Sequence, residues 1–286
     1  MRTNVERLRN LVKKFSVFLQ AGKSTPVSPR PPCRHCRQGP IVLKVHTVSC
    51  CKLENETAMQ SEIDSHFWWH SIRLPDGRVT PGKKSLEKMD EEISKLFDPV
   101  DLKGKSVLDV GAWNGGFSIE AKRRGASRVV ALDYFVWKSP GFRGRQAFDL
   151  ATKLCDVEIE AVEKDLSVPR LNLNDLGLFD VVLFSGVFYH LIDPIATLRE
   201  LSQVTKETLI LETHVEKTCE QRPMMVFYPG KELNNDPTNW WGPNPLLIEK
   251  LLEHFGFSAI TQQQGSGPNR WVFHGIKSLS SGPARS

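Results

Sequence analysis

No stretch of this sequence approaches the roughly 18 consecutive apolar residues of a membrane-spanning helix, and its opening residues lack the apolar core of a secretory signal. Those two absences point to a cytoplasmic address. Internal repeats are missing as well, so the chain does not read as a stacked array. A basic body is also missing. The formal net charge is +5, yet residues 1–40 hold nine Lys or Arg against the single acid Glu6, a local +8 that leaves the remainder at −3. Attraction to nucleic acid therefore has to rest on an N-terminal extension and on local patches, because the body supplies no general positive field.

Cysteine is sparse, at positions 33, 36, 50, 51, 155 and 219. Cys33 and Cys36 have half of a zinc-ribbon spacing, which Cys50 together with His35 or His46 would have to complete. Adjacent Cys50 and Cys51 give poor tetrahedral geometry where a ribbon uses a second C-x2-C. Unrelated reduced thiols are the expectation, and no metal is assigned.

What is present is a chain of 286 residues, 40% apolar and 25% charged, enough for one generous globular domain with appendages. Residues 4–20 space Leu8, Leu11, Val12, Phe15 and Leu19 at helical intervals among Arg7, Arg9, Lys13 and Lys14. Such a basic amphipathic helix suits packing on the body, a membrane surface, a protein partner or targeting. Five prolines between 22 and 40 read as linker, which closes a first unit at 1–40. Residues 41–98 read as a cap and lead-in. There FWWHSIRLPDG at 67–77 sets an Asp76-Gly77 turn between two short strands, and a helix runs from about Ser85 to Phe97.

Residues 99–277 alternate strands with helices. Strands are expected at 106–111, 128–133, 157–163, 179–185 and 207–215, and helices near 115–124, 144–154, 194–203 and 244–255. Asn244 caps the last helix, with Pro245 at its first position. FSAITQQ and RWVFHGI flank GSGPN as a closing hairpin, and the tail 278–286 is expected to fray. This order predicts an α/β fold, a mostly parallel sheet with helices on both faces.

The motif VLDVGAWNGGFS places Gly111, Gly115 and Gly116 between a strand and a helix, where the backbone turns sharply and unpaired amides face a ligand. It is not a full G-x-G-x-x-G, since Trp113 holds the second glycine position. Asp133 follows 22 residues after Gly111, at the end of the second strand, where a carboxylate accepts both hydroxyls of an adenosine ribose. That suits NAD or S-adenosylmethionine and disfavours a phosphorylated ribose. Asp109 would orient the glycine loop or meet a ligand ammonium group, and Asp165 would meet an adenine amine. Each carboxylate alone also reads as surface charge; three on one rim read better as a site.

In combination, VLDVGAWNGG, VVALD and FDVVLFSGVFYHLIDP resemble the class I S-adenosylmethionine-dependent methyltransferases. The resemblance covers residues 105–276. It implies a Rossmann-like sheet of seven strands with the last antiparallel, S-adenosyl-L-methionine as cofactor, and contacts to it from Asn114, Ser185 and Tyr189 beside the glycines and carboxylates. SGVFYHLIDP, LETHV and the segment 226–257 are similar, more narrowly, to the tRNA wobble-uridine carboxymethyltransferase group; with WWHSIRLPDGRVTPG this similarity reaches about 62–276. That group uses carboxy-S-adenosyl-L-methionine, held partly by a lysine in an Arg-Lys-Gly-Pro stretch. The comparable HSIRLPDG has no such lysine, although Arg73 is nearby. Tyr189 matches the group's cofactor-side tyrosine and Arg270 is matched to its late arginine. The missing lysine implies ordinary methyl transfer rather than carboxymethyl transfer.

The sulfonium cofactor of that family carries an activated methyl group, so the protein has to align an acceptor in line and take its proton. His190, His70 and His214 are the acid/base candidates, since a neutral imidazole suits the task near pH 7; each also reads as a structural histidine. Tyr189 stands beside them as a shaping group, its ordinary pKa near 10 being too high for a base. Glu212 would bind the acceptor or orient His214. Trp240 and Trp241, with Asn235 and Asn239, read as an acceptor wall faced by Trp68 and Trp69, and Arg73 and Arg270 as partners for an extra carboxylate. The expectation is O-methylation of a small or medium-sized acceptor, with tRNA wobble-uridine modification second. A non-catalytic cofactor-binding or assembly protein is third, because Trp113 replaces a common glycine. A dehydrogenase fits the antiparallel ending and FYHLIDP badly.

Overall fold

The computed structural model describes residues 56–168 and 171–278. The basic helix, the proline-rich linker, the cysteines at 33, 36, 50 and 51, and the tail after Ser278 lie outside the described residues. Helix α1 (56–64) leads into an irregular segment, 65–84, and then into α2 (Leu86–Phe97). Ser85 caps α2 by accepting the Lys88 amide, as its position before an amphipathic run requires.

Seven strands follow: β1 (Ser106–Val110), β2 (Arg128–Asp133), β3 (Glu160–Glu163), β4 (Phe179–Ser185), β5 (Thr205–His214), and, after a small separate pair, β8 (Phe257–Gln264) and β9 (Arg270–Lys277). Their order is β3-β2-β1-β4-β5-β9-β8, parallel throughout except that β9 runs against both β5 and β8. The expected Rossmann-like sheet with an antiparallel last strand is therefore what forms. Strand alternation decides which helix covers which face. Val107, Val181, Leu183 and Ile210 point to a core shared with α2 and α3 (Gly116–Arg123). Leu108, Val182, Phe184, Leu209 and Leu211 point the other way, to α6 (Pro194–Val204) and α7 (Pro245–His254). Between these lie the short α4 (Phe135–Lys138) and α5 (Gly144–Leu154), packed near the β2 side. Each fully buried Leu, Val or Phe in these layers contributes about 1.5–3 kcal/mol.

Two expectations need correction. The Asp76-Gly77 turn is present, but isolated bridges such as Arg73 with Val79 flank it instead of strands. Thr80 supplies the reason, because its hydroxyl takes the Ile72 amide that a longer ladder would use. The third strand is four residues rather than seven: the Val157 amide still bonds to Thr152 at the end of α5, so pairing with β2 starts only at Glu160. The stretch from Asn234 to Asn244 carries a short strand outside the main sheet. There β7 (Trp241–Pro243) pairs antiparallel with β6 (Met225–Phe227) in an insert between β5 and α7. Asn244 pins this insert with all four bonds of its amide. Its Oδ1 accepts from Met224 and Leu247, while its Nδ2 donates to Glu220 and Arg222.

Candidate active site

The strand order reverses between β1 and β4, and in open α/β sheets a crevice forms beyond the carboxyl ends of the strands at that point. The loops after β1 and β4 touch there. Gly111 has φ +81°, and a side chain at that position would put its Cβ 2.3 Å from Val187 Cγ2. Glycine is thus required both by conformation and by space. Next to it, Trp113 holds φ +53°, an uncommon conformation for a bulky residue. Its neighbours hold it in place: the Trp113 amide donates to Asp133 (3.0 Å), its carbonyl accepts from Trp137 (2.6 Å), and its ring stacks on Trp69 at 5.1 Å.

Two carboxylates stand on this side. Asp133 closes β2 with only 6% of its surface exposed, and burial, partly offset by the amides of Trp113, Tyr134 and Val136, pushes its pKa up to about 6. Asp109 accepts the Ser118 hydroxyl at 2.5 Å; burial, with Asp133 adding to it, raises its pKa to about 7. A buried strand-end carboxylate has lone pairs left for a ligand's hydroxyl or ammonium protons beyond those its backbone amides take. Asp165 lies half-buried beyond β3, its Oδ1 taken by the amide and hydroxyl of Ser167.

Asn114 and His70 belong to a different contact. The Asn114 side chain accepts the amides of Trp69 (3.2 Å) and His70 (2.9 Å) and donates to the His70 carbonyl (3.0 Å), which registers the lead-in on the glycine loop. The His70 ring lies on Phe117 and against Gly116, where any Cβ would come within 2.9 Å of the ring's Cγ. Burial and then Lys84 keep its pKa well below the ordinary imidazole value. Asn114→Asp is expected to lower stability, because the carboxylate leaves the His70 carbonyl without its donor; that orphan alone costs about 1–3 kcal/mol. A lower urea midpoint with unchanged m-value is the check.

On the other side of the crevice, β4 and β5 end where β9 begins. Strand alternation puts Glu212, His214 and the following Glu216 on one side, and pairing sets Arg270 directly opposite His214. Glu212 and Arg270 form a two-pronged ion pair, Nε to Oε1 at 2.5 Å and a second, shorter bond between Nη2 and Oε2. The Ser185 hydroxyl adds a donor to Glu212 at 3.2 Å. The Arg270 guanidinium also lies 4.8 Å over the Tyr189 ring. Burial opposes the Arg270 charge, but Glu212 and Tyr189 more than offset it, and the pKa rises. Burial raises that of Tyr189 too. Gly186, at φ +74°, lets these groups close in: Arg270, Glu212 and Tyr189 atoms all lie 3.7–3.9 Å from where its Cβ would be.

His190 follows Tyr189 in a 3-10 turn, Phe188–His190. Its Nδ1 meets the hydroxyl (3.0 Å) and carbonyl (3.2 Å) of Thr238, whose hydroxyl donates to Asp236 at 2.7 Å. Burial lowers its pKa against the pull of Asp236. The insert is tied to this turn, since the Trp240 amide donates to the Tyr189 carbonyl at 2.8 Å. His214 bonds through Nε2 to the Tyr228 hydroxyl (3.1 Å), with Glu216 Oε1 at 3.4 Å. Burial lowers its pKa although Glu216 raises it.

The expected site residues thus divide. Tyr189, His190, His214, Glu212, Arg270 and Ser185 share the β4–β5 rim, and Asp109, Gly111, Gly115 and Asp133 share the β1–β2 rim. Trp240 and Trp241 flank Phe227, which stacks on Trp240 at 6.3 Å and is half exposed. The Asn239 amide group donates inward to Leu233, and Asn235 is exposed at φ +56°. Trp68 is packed among Ile63, Leu74 and Ile119, while Arg73 is exposed and paired with Asp90. Tyr228, Glu216, Thr238 and Asp236 went unread in the sequence. Only Glu216 carried a signal, its spacing of two from His214.

The methyltransferase-domain family model matches residues 83–262. A tRNA U34 carboxymethyltransferase of Pseudomonas putida (strain W619) is 30% identical over 175 residues, covering 60% of this chain and 52% of that protein. One from Helicobacter acinonychis (strain Sheeba) is 30% identical over 199 residues, covering 65% and 71% respectively. The chain therefore spans about half the length of the first of these relatives. Among solved structures, the N-terminal domain of EvdMO1 with S-adenosylhomocysteine (SAH) bound shares the fold at TM-score 0.58 and 17% identity, covering 78% of this chain and 97% of that one. An O-methyltransferase family protein from Burkholderia thailandensis shares it at TM-score 0.51 and 17% identity, covering 67% and 56%.

Proposed function

This chain belongs to the methyltransferase-domain family of S-adenosylmethionine-dependent enzymes, and from that premise we propose that it transfers a methyl group to a hydroxyl oxygen of a small or medium-sized acceptor. The cofactor supplies an activated methyl on a sulfonium, whose sulfur keeps the electron pair when the carbon–sulfur bond breaks. The residues fit such a ligand: Asp133 offers a buried strand-end carboxylate whose lone pairs beyond those on backbone amides can take ribose hydroxyls, and the Gly111 turn, at φ +81°, brings the loop after β1 against Val187 of the loop after β4. Asp109 would meet the ammonium end and Asp165 the adenine amine.

One observation carries the choice of methyl over carboxymethyl. The partly buried guanidinium on the β4–β5 rim, Arg270, is already neutralised by Glu212, and Arg73 faces outward to Asp90. A cofactor carboxylate would find no uncompensated cation among these residues, and burying it there would be costly. The acceptor's proton would pass to a histidine of the same rim.

The chain's tRNA U34 carboxymethyltransferase relatives favour a second reading, modification of tRNA at U34. One experiment separates the two. The full chain is incubated with S-adenosylmethionine or its carboxylated form, with bulk tRNA or with a panel of phenols and sugars, and products are read by mass spectrometry. Methylated small acceptors and no tRNA product are expected. Carboxymethylated tRNA, together with salt-dependent tRNA binding that weakens when residues 1–40 are removed, would overturn the first reading.

A further inference from the structure

We propose that Tyr228 and Glu216 form a relay that fixes the tautomer of His214 and leaves its Nδ1 as the base for the acceptor's proton; this rests on the functional reading above. A tyrosine has one hydroxyl hydrogen. That of Tyr228 is given to Glu216 Oε1 at 2.8 Å, the stronger acceptor because it is a carboxylate. At its 3.1 Å contact with His214 Nε2 the same hydroxyl must therefore accept. Nε2 then carries the imidazole hydrogen, and the lone pair of the neutral ring sits on Nδ1. The His214 ring's hydrogen bond to Tyr228 and its ion pair with Glu216 both run through Nε2.

The surroundings are built for this arrangement. His214 is buried at the end of β5, its ring 6.5 Å from that of Tyr189 and 6.2 Å from that of Tyr228. Tyr228 follows β6, and Gly242 in β7 faces it: a Cβ at 242 would lie 2.3 Å from the Tyr228 hydroxyl and 2.6 Å from Glu216 Cγ. The glycine between Trp241 and Pro243 is therefore a cut-out that admits the tyrosine–glutamate pair. A stabilised proton acceptor follows from the chemistry. An oxygen lone pair of the acceptor forms the bond to the methyl carbon as the carbon–sulfur bond breaks with its electrons left on sulfur, while the acceptor's O–H proton moves to Nδ1 and the electrons of that bond stay on oxygen. The resulting imidazolium keeps its Nε2–H toward Tyr228, with the Glu216 carboxylate 3.4 Å away to balance the charge. The ring returns the proton to solvent. Nucleophile, base and orienting groups then stand in the usual chain of a positioned base.

The charged and titratable groups around the ring are Glu216 and Tyr228 from the insert side, Tyr189 from the β4 loop, Arg270 from β9 and Glu212 from β5. Glu216 and Glu212 raise the His214 pKa and Arg270 lowers it. Neutralising Glu216 must lower it further, so the acid limb of the pH–rate profile in Glu216→Gln is expected to move to lower pH.

Nitrogen NMR of the full chain, labelled with 15N at histidine, reads the tautomer directly and needs no substrate. The expected signals for His214 are pyrrole-like at Nε2 and pyridine-like at Nδ1; the opposite pattern, or fast exchange between the two, overturns the relay. In Tyr228→Phe the fixed pattern is expected to give way to a mixture, kcat to fall on the order of 10-fold or more, and binding of SAH to stay within twofold. An unmoved tautomer with unchanged kcat, or an unmoved acid limb in Glu216→Gln, would overturn the proposal. A wild-type chain that binds no SAH and methylates nothing overturns the functional reading, and with it the base role. A working enzyme with the proton on Nδ1 overturns the relay alone.

Discussion

Glu212→Ala is expected to lower stability by about 3–5 kcal/mol, because it strips the counter-charge from an arginine that the fold holds mostly out of water. Arg270 cannot shed its proton, and its second contact, the face of Tyr189 at 4.8 Å, is worth only about 0.5–2 kcal/mol. Its quarter-exposed side chain puts the cost toward the lower end of the range. Glu212→Gln keeps one acceptor oxygen and should cost less, and the Glu212→Ala/Arg270→Ala double variant should recover part of the loss, since the orphaned charge is gone. Urea unfolding of the four proteins measures all of this. The same exchange bears on cofactor choice. Once Glu212 is neutral, Arg270 presents an unpaired positive charge on the rim, so Glu212→Gln is expected to shift relative affinity from S-adenosylmethionine toward its carboxylated form. No shift would mean that the pair does not sit beside the reacting methyl.

Asp133→Ala is expected to weaken SAH binding by on the order of 10²-fold or more, since two hydrogen bonds to a charged acceptor are worth about 1.5–3 kcal/mol each. Calorimetry on the two proteins checks this. Asp133→Asn separates charge from packing, because the amide still has an oxygen for the Trp113 amide. pH supplies a second test of the same residue. With its pKa near 6 in the free protein, Asp133 must lose a proton to accept ribose hydroxyls at full strength, so affinity should fall as pH drops through 6 and binding should release protons there. The effect on stability runs the other way. Both Asp133 and Asp109 hold their protons in the fold above the value near 4 at which the unfolded chain releases them. Their contribution is complete below pH 4 and is lost as pH rises through about 6 and 7. The cofactor-free chain should therefore lose this part of its stability on going from pH 4 to 7, and SAH should restore most at the upper end.

The layers of the fold were legible because they depend on local signals: the short apolar runs of β1, β4 and β5, the Asn244 cap, and the glycine turn after β1. The shortening of β3 was not, because it depends on where α5 releases the chain at Val157. Among site residues, those at strand ends could be placed by counting from a glycine or a strand boundary. Side chains whose partners are distant in sequence could not. Asn114 spends its amide on residues 44 and 45 positions away, and nothing local distinguishes it from a loop asparagine facing a ligand. Trp68 and Trp69 look alike in sequence, yet one fills a core with Ile63 and the other stacks on Trp113. Tyr228 joins His214 across the insert, and Gly242 looks like an ordinary turn glycine until the hydroxyl beneath it is seen.

A crystal structure of the full chain with SAH tests the central claim most directly. The expected result has the ribose hydroxyls on Asp133 and the sulfur turned toward Tyr189, the Arg270–Glu212 pair and His214 Nδ1. A ribose bound away from Asp133, or a sulfur facing away from the ends of β4 and β5, would contradict it.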